Sequence, residues 1–212
     1  MKQVISFSFL MSFFLITISG CGRVVDWAKS NVKQGSTIKH KKSNTKKYIK
    51  TSRIYDQFTL LGSFDTLWLS DAVRKEYVDL HAVKFGKTQE QKNIILRRQL
   101  EENNHFISFY ILSVADILLG EKDSKWSVIL SIKDQTYTPI ELKVVELSPE
   151  YQRIFDKKNT IFKTAYLVRF NAKDIEDKLL LHNFVKKFSL IFRTLKKEIK
   201  QTWNNSHFMD KV

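Results

Sequence analysis

Apolar residues recur at helical spacing near the start of the folded part of the chain. The segment DTLWLSDAVRKEYVDLHAVKFG, residues 65–86, has them at Leu69, Ala72, Val73, Tyr77, Leu80 and Val83. Intervals of three and four residues predict an amphipathic helix, which ends at Gly86. Thr88 and Gln91 then form a capping-box pattern. They predict a second helix to about Glu102, with three residues facing the core: Ile94, Ile95 and Leu100.

From His105 the pattern changes to short runs that are typical of strands. The run FISFYILSV, residues 106–114, is apolar on both faces and indicates a central strand. Further strands are predicted at residues 126–133, 140–147 and 164–170. The second of these is expected to pair back on the first after a QTYTP turn. Residues 54–61 read as a short strand or extended segment before Gly62.

The last apolar segment, residues 178–203, fits two structures. Its apolar residues have good helical spacing, at Leu181, Phe184, Val185, Phe188, Ile191, Phe192, Leu195 and Ile199. Alternation in residues 188–192 and 199–203 also permits two strands around a turn at Lys196 and Lys197. We favour the hairpin and keep the helix as the alternative. The fold class predicted is α+β, with two N-terminal helices followed by an antiparallel β-sandwich-like or curled sheet region.

The N-terminus has the layout of a secretory signal peptide. Lys2 precedes an almost uncharged apolar run over residues 4–18, and the small residues Ser19 and Gly20 lead into Cys21. The apolar run is shorter than the roughly 20 residues that a membrane-spanning helix needs. We therefore predict a cleaved signal peptide over residues 1–20.

The sequence Ile18-Ser19-Gly20-Cys21 resembles the lipobox of bacterial lipoproteins. The resemblance implies that signal peptidase recognises Ile18, Ser19 and Gly20, and that Cys21 carries a diacylglycerol and usually an N-acyl chain. Cys21 is the only cysteine, so its lipidation would leave no thiol for a disulfide or for catalysis. In the lipoproteins that this segment resembles, an aspartate after the lipidated cysteine marks retention at the inner membrane. Gly22 and Arg23 stand here instead, so the resemblance implies the periplasmic face of the outer membrane, with the inner membrane as the alternative.

A basic, polar segment follows the lipidation site. Residues 23–53 contain ten Lys or Arg and one acid, Asp26. This composition predicts a flexible tether over residues 21–53. The tether acts either as a spacer or as a contact with anionic lipid or cell wall. Its candidate contact residues are Lys39, Lys41, Lys42, Lys46, Lys47 and Lys50.

Residues 54–212 have the length of a single periplasmic domain. Its FDTLWLSDAVRKEYVDLHAVKFG segment, its β-rich middle and its closing KEIKQTW are similar to a group of uncharacterised bacterial lipoproteins. That resemblance implies paired strands at the C-terminus and no particular activity. A nucleic-acid partner is not expected for a chain exported to the envelope.

No motif of a catalytic or cofactor-binding site is present, so we assign no catalytic residue, no metal ligand and no cofactor. The five histidines are His40, His81, His105, His182 and His207, and none is spaced for metal binding. Glu101 and His105 would share a helix face only if the second helix extended so far. Two clusters of acidic residues are expected to lie in solvated turns. The first is Asp116, Glu121 and Asp123, and the second is Asp174, Glu176 and Asp177. Four aromatics are candidates for a ligand groove or for the core: Phe155, Phe162, Phe184 and Phe208.

These observations favour a non-enzymatic lipoprotein that binds another envelope component, such as an envelope protein, or supports envelope assembly. The alternatives are a hydrolase acting on cell wall or lipid, and a carrier of an apolar ligand. A binding module should expose an apolar patch. A hydrolase should have converging polar side chains in a concave pocket, and a deep pocket lined by His105 or His182 with two acids would overturn the preference for a binding module. A carrier should enclose a dry cavity.

Overall fold

The computed structural model of the chain describes residues 44–114, 117–182 and 184–205. The predicted signal peptide, Cys21, Lys39, Lys41 and Lys42 lie outside these residues, as do His40, His207 and Phe208. Asp116 also lies outside them. The cleaved signal peptide and the lipidated cysteine therefore remain predictions.

Nine strands and three α-helices follow one another in the described residues. In chain order they are β1 (Ile49–Asp56), β2 (Thr59–Trp68), α1 (Asp71–Lys84), α2 (Gln89–His105), β3 (Phe106–Val114), β4 (Ser127–Ile132), β5 (Gln135–Tyr137), β6 (Glu141–Val144), α3 (Pro149–Phe155), β7 (Lys163–Asn171), β8 (Lys187–Arg193) and β9 (Glu198–Asn204). Short 3-10 helices cover Asn44–Tyr48 and Asp156–Lys158.

The strands form two antiparallel sheets that share one hydrophobic core. The five-stranded sheet has the order β1-β2-β3-β7-β6, and the four-stranded sheet has the order β5-β4-β8-β9. Aromatic side chains from the two sheets meet between them: Phe64 stacks on Phe192 with ring centroids 4.1 Å apart, and Trp68 meets Phe188 at 4.8 Å. The α+β class is confirmed, but the predicted order is wrong because β1 and β2 precede the helices.

The helices cover the outer face of the five-stranded sheet, in two different ways. α1 buries Val73, Val78 and Leu80, and Tyr77 of α1 stacks on Tyr151 of α3 at 4.6 Å. By contrast, α2 buries none of its side chains. Three residues of α2 are predicted to face the core. Ile94 is instead exposed, and Ile95 and Leu100 are only partly buried.

Polar contacts attach α2 to α1. The buried Arg74 guanidinium donates to Asn103 Oδ1 at 2.6 Å, to Gln99 Oε1 at 2.9 Å and to Glu102 Oε2 at 2.6 Å. Glu102 also accepts from Arg169 of β7. A helix that is held by carboxylate and amide contacts to a buried guanidinium does not require an apolar stripe for its packing. The hydrophobic pattern of α2 is therefore a poor guide to its orientation.

The boundary predicted for the flexible tether is wrong. Residues 44–53 are structured, because β1 starts at Ile49 and pairs with β2 from Leu67 onwards. Tyr48 is buried and its carbonyl accepts a 2.9 Å hydrogen bond from the Trp203 indole of β9. Lys46 and Lys47 are exposed on the 3-10 helix, and Lys50 is half-buried in β1.

Residues 54–61 are also not a single strand. They contain the turn between β1 and β2, in which Gln57 has the left-handed φ of 52°. The register shifts between Ile54 and Tyr55, which indicates a bulge just before the turn. The sequence has no Asn-Gly or Asp-Gly pair at this turn to signal a hairpin.

The later strands follow the predictions more closely. β3 has the predicted limits and lies at the centre of its sheet. The C-terminal hairpin is confirmed in β8 and β9. Residues 140–147 do not pair back on β4, however; β5 does so, and β6 pairs with β7 in the other sheet. No helix in the described parts of the chain is long and apolar enough to cross a membrane.

Candidate functional site

The two ends of the sandwich carry different surfaces. One end, which we call the distal end, is formed by the turn at residues 57–58 and the loops 117–126, 156–162 and 194–197. The proximal end holds residues 44–48 and 205, where the described chain begins and ends, and the loops 133–134 and 172–186. The strand registers place these segments, because β1, β2, β3, β7, β8 and β9 all run between the two ends.

Large apolar side chains project from the distal loops. Phe58 is 101 % exposed and Leu195 is 106 % exposed, each at the tip of a hairpin, while Ile161 and Phe162 are 92 % and 73 % exposed. Leu118 in the remaining loop is about half exposed. Isolated exposed apolar residues are ordinary, but their clustering at one end of a domain is typical of an interaction surface.

A lysine joins the two hairpin tips of the distal end. Lys197 Nζ donates to the Tyr55 carbonyl and to Asp56 Oδ1, both at 2.9 Å. The hydrogen bond and the charge of Lys197 hold the pKa of Asp56 below its ordinary value. Thr194 closes the other turn, since its N–H donates to the Lys197 carbonyl at 2.8 Å. Phe58 and Leu195 are therefore carried on neighbouring turns.

A second group of side chains, the Asp65 cluster, fastens the loop that carries Ile161 and Phe162. It consists of Thr51, Asp65, Lys158 and Lys163. The buried Asp65 carboxylate accepts from Thr51 Oγ1 at 2.5 Å, from Lys158 Nζ at 3.1 Å and from Lys163 Nζ at 2.5 Å. Burial alone raises the pKa of Asp65, but the hydrogen bonds from Lys163, Thr51 and Lys158 outweigh it, and the pKa lies below the ordinary value.

The loop that carries Leu118 is held by close packing and by a serine. Ser124 Oγ donates to the Leu118 and Trp126 carbonyls at 2.5 and 2.8 Å. Gly120 has a φ of +78°, and a Cβ built on it would lie 2.5 Å from Leu142 Cδ2 of β6. Glycine is required here because a side chain would be strained and would also clash.

The proximal end combines exposed apolar residues with lysines and two depressions. Phe184 is 85 % exposed and Ile175 is fully exposed. A groove of about 820 Å³ runs beside α2, with lining residues that include Leu96, Leu100, Phe106, Leu181, Asp71 and Glu101. It is open to solvent and has a mixed lining, so it is not the dry, enclosed cavity expected for a carrier.

A smaller depression, of about 390 Å³, is lined by His182 together with Asp134 and Asp174. Asp174 Oδ1 already accepts two backbone N–H groups, from Glu176 and Lys178, each at 2.9 Å. His182 Nδ1 accepts the Phe184 N–H at 3.2 Å. These hydrogen bonds shape the loop, and they leave His182 Nε2 and the Asp134 carboxylate as the groups available for chemistry.

Other residues singled out in the sequence are dispersed. His81 lies 3.6 Å from Glu150 on the outer face, and α2 extends to His105, so Glu101 and His105 share a helix face and are both exposed. Glu121 and Asp123 are exposed in a distal loop. In the part of the chain that the structure describes, no three His, Cys, Asp or Glu side chains are grouped so that they could hold a metal ion.

The candidate aromatics separate into core and surface. Phe155 is buried, whereas Phe162 and Phe184 are exposed at opposite ends. Sequence reasoning missed the distal cluster as a whole, because Phe58, Ile161 and Leu195 lie far apart in the chain and apolar residues are ordinarily assigned to the core. The chain matches no protein-family model, and it has no significant similarity to a curated protein or to a solved structure.

Proposed function

We propose that the chain is a lipid-anchored envelope lipoprotein whose folded domain is a non-enzymatic binding module. In this proposal Cys21 carries the acyl chains, and the domain binds an envelope protein through its distal end. The lipobox-like sequence at residues 18–21 supports the anchor. Attachment to the periplasmic face of the outer membrane remains the favoured location.

The observation that carries the proposal is the cluster of exposed apolar residues on the distal loops. Burying one such side chain in an interface contributes about 1.5–3 kcal/mol, so Phe58, Ile161, Phe162 and Leu195 are the distal residues expected to contribute most to binding. Specific interfaces have apolar, aromatic centres with charged residues at the rim. The Lys197 contact and the Asp65 cluster hold the loops in place, which lowers the entropy cost of binding.

The distance of the distal end from the point where the domain is joined to Cys21 favours a protein over the anchoring bilayer as its partner. The described domain is joined to residue 43, and hence to Cys21, at the proximal end. A strand of nine or ten residues, such as β2 or β3, is about 30 Å long. The distal tips therefore lie about that distance from the end of the domain that is joined to Cys21.

Matched double variants test the proposal in native membranes. Phe58→Ser with Leu195→Ser removes two distal tips, and Ile175→Ser with Phe184→Ser removes two equally exposed proximal ones. Blue-native electrophoresis after cross-linking should show that the complex of the wild-type chain is lost in the distal variant and kept in the proximal variant. Loss in the proximal variant alone, or in neither, would contradict the proposal.

The anchor has its own test. Cys21→Ser should abolish incorporation of labelled fatty acid and leave an uncleaved precursor, because the serine hydroxyl does not replace the thiolate as a nucleophile. Labelling that persists in this variant would disprove the assignment of Cys21.

The small proximal depression favours one second candidate, a hydrolase, because it brings His182 together with Asp134 and Asp174. Because His182 Nδ1 accepts a hydrogen bond, the neutral imidazole carries its proton on Nε2, so His182 would donate a hydrogen bond to the substrate and Asp134 would act as the general base. Purified protein would be assayed for release of products from peptidoglycan and phospholipid. Activity that disappears in both His182→Ala and Asp134→Asn would establish this function in place of the binding module.

A further inference from the structure

We infer that the proximal end of the domain docks on an anionic lipid surface, with Phe184 entering the interface and four lysines, Lys46, Lys47, Lys186 and Lys187, contacting headgroup phosphates. The inference rests on the proposed lipid anchor and assigns that end a second contact with the membrane.

The end of β9 brings the four lysines together. The Trp203 indole donates to the Tyr48 carbonyl, next to Lys47. Two residues later, the Asn205 N–H donates to the Lys186 carbonyl at 2.8 Å, and Asn204 is the register partner of Lys187. The segments 46–47 and 186–187 therefore flank the same strand end, although they are far apart in sequence. All four lysine side chains are exposed.

The distribution of charges at the proximal end leaves Lys186 and Lys187 available to contact anionic headgroups. Among the described residues, neither Lys186 nor Lys187 lies in an ion pair. In the loop of residues 172–186, Asp177 pairs with Lys173 at 2.8 Å and Glu176 pairs with Lys178 at 2.5 Å. Asp174, which accepts two backbone N–H groups, and Asp134 of the adjacent turn keep their charges, so two carboxylates stand against the four lysines. Anionic headgroups therefore meet a surplus of positive charge around Phe184.

Phe184 is held in a position to enter the interface. Its N–H donates to His182 Nδ1, and its ring meets the imidazole edge-on with centroids 5.8 Å apart. Aromatic side chains surrounded by cations are a recurring feature of proteins that lie on membrane interfaces. Fully exposed Ile175 lies earlier in the same loop and adds apolar surface to the proximal end.

An anionic bilayer fits this surface better than a protein does. Only 22 residues separate Cys21 from Asn44, where the described domain begins. Acylation of Cys21 would therefore tether the proximal end of the domain to the membrane and raise its local concentration near the headgroups. The distal end has comparable apolar exposure but is not joined to the anchor.

Site-specific fluorescence on the full acylated protein in vesicles tests the inference. Phe184→Cys and Phe58→Cys each introduce a thiol for an environment-sensitive fluorophore, since Cys21 is the only native cysteine. On vesicles that contain phosphatidylglycerol, the label at residue 184 should brighten and be quenched by spin-labelled lipid. On vesicles of phosphatidylcholine alone the label at residue 184 should neither brighten nor be quenched. The label at residue 58 should respond to neither type of vesicle. Equal responses at both positions, or none at residue 184, would overturn the inference.

Two controls separate the charge effect from the anchor. Replacing Lys46, Lys47, Lys186 and Lys187 by Glu should abolish the response at residue 184, since each lysine lost lowers the docking equilibrium about fivefold. The same replacement of four exposed distal lysines should preserve it: Lys122, Lys125, Lys157 and Lys196. If the fluorophore labels the chain that carries no added cysteine, the Cys21 thiol is free and the proposed anchor is disproved. If that chain is not labelled and the fluorophore at residue 184 gives no response, the docking inference is disproved and the anchor is not.

Discussion

The two ends of the sandwich both expose large apolar side chains, yet the surroundings of those side chains differ. At the distal end, Phe58 and Leu195 lie on turns joined by Lys197, and Ile161 and Phe162 lie on a loop fastened by the Asp65 cluster. At the proximal end, Phe184 lies beside lysines and close to the start of the described chain. Exposed apolar area is therefore common to both ends, and the proposal distinguishes their partners by the neighbouring charges and by the end at which the chain is joined to Cys21.

The largest effect is expected from removing the centre of the Asp65 cluster. Asp65→Ala leaves Lys163 and Lys158 without their carboxylate, and breaking a buried ion pair in this way lowers the free energy of unfolding by about 3 kcal/mol. Denaturant unfolding measures the loss. The proximal control Glu176→Ala breaks an exposed pair and should cost less than about 1 kcal/mol. Equal losses would show that the distal loop is not braced as described.

A glycine substitution should have the next largest effect. Gly120→Ala forces a side chain into the left-handed region and against Leu142, and should lower the free energy of unfolding by about 2 kcal/mol. Gly86→Ala is the matched control: its φ is +57° but nothing lies within 4 Å of the added Cβ, so it should cost about 1 kcal/mol. A cost for Gly120→Ala no greater than that for Gly86→Ala would contradict the close packing of the Leu118 loop on β6.

Acid should weaken the distal end through Asp65. The folded-state pKa of Asp65 lies below its unfolded value, so its ionised form stabilises the fold. This stabilisation is complete above the ordinary aspartate pKa of about 3.9 and is lost as the pH falls through the lower folded-state pKa. The stability advantage of the wild type over Asp65→Asn should therefore shrink in acid. If the difference in free energy of unfolding between the wild type and Asp65→Asn stays constant down to the lowest pH at which the protein folds, the charge of Asp65 is not the source of its stabilising effect.

The smallest effect on stability is expected from Lys197→Ala. Its partner Asp56 is exposed, so the pair contributes little to folding. Binding of the distal partner should nevertheless weaken, because the two hairpin tips lose their connection. Lys173→Ala breaks a similarly exposed pair at the proximal end and should leave that binding unchanged. Affinity measured on membrane fractions decides between these outcomes.

Sequence periodicity was informative where one physical requirement dominates. β3 is buried on both faces, and its unbroken apolar run predicted both of its limits. The terminal hairpin was predicted, with its helix alternative, because Phe188 and Phe192 alternate across the strand. Helix α3 was missed although Ser148 and Pro149 carry a recognisable start signal, with proline in the first turn.

Other features depend on contacts that no local pattern contains. Residues 49–53, the first part of β1, are assigned to the tether because their lysine and small polar residues suggest a solvated chain, whereas pairing with β2 and the Trp203 contact to Tyr48 order this segment. The helix α2 turns its polar residues to Arg74 of α1, which reverses the expectation for Ile94. The distal surface is assembled from four separate loops, so only the topology brings its residues together.

Photo-cross-linking from one residue at each end tests the division of roles most directly. A photoreactive phenylalanine analogue would replace Phe58 in one chain and Phe184 in another, and both would be irradiated in native membranes and resolved by mass spectrometry. The account predicts a discrete protein adduct from residue 58 and phospholipid adducts from residue 184. A protein adduct from residue 184 with lipid adducts from residue 58 would contradict it.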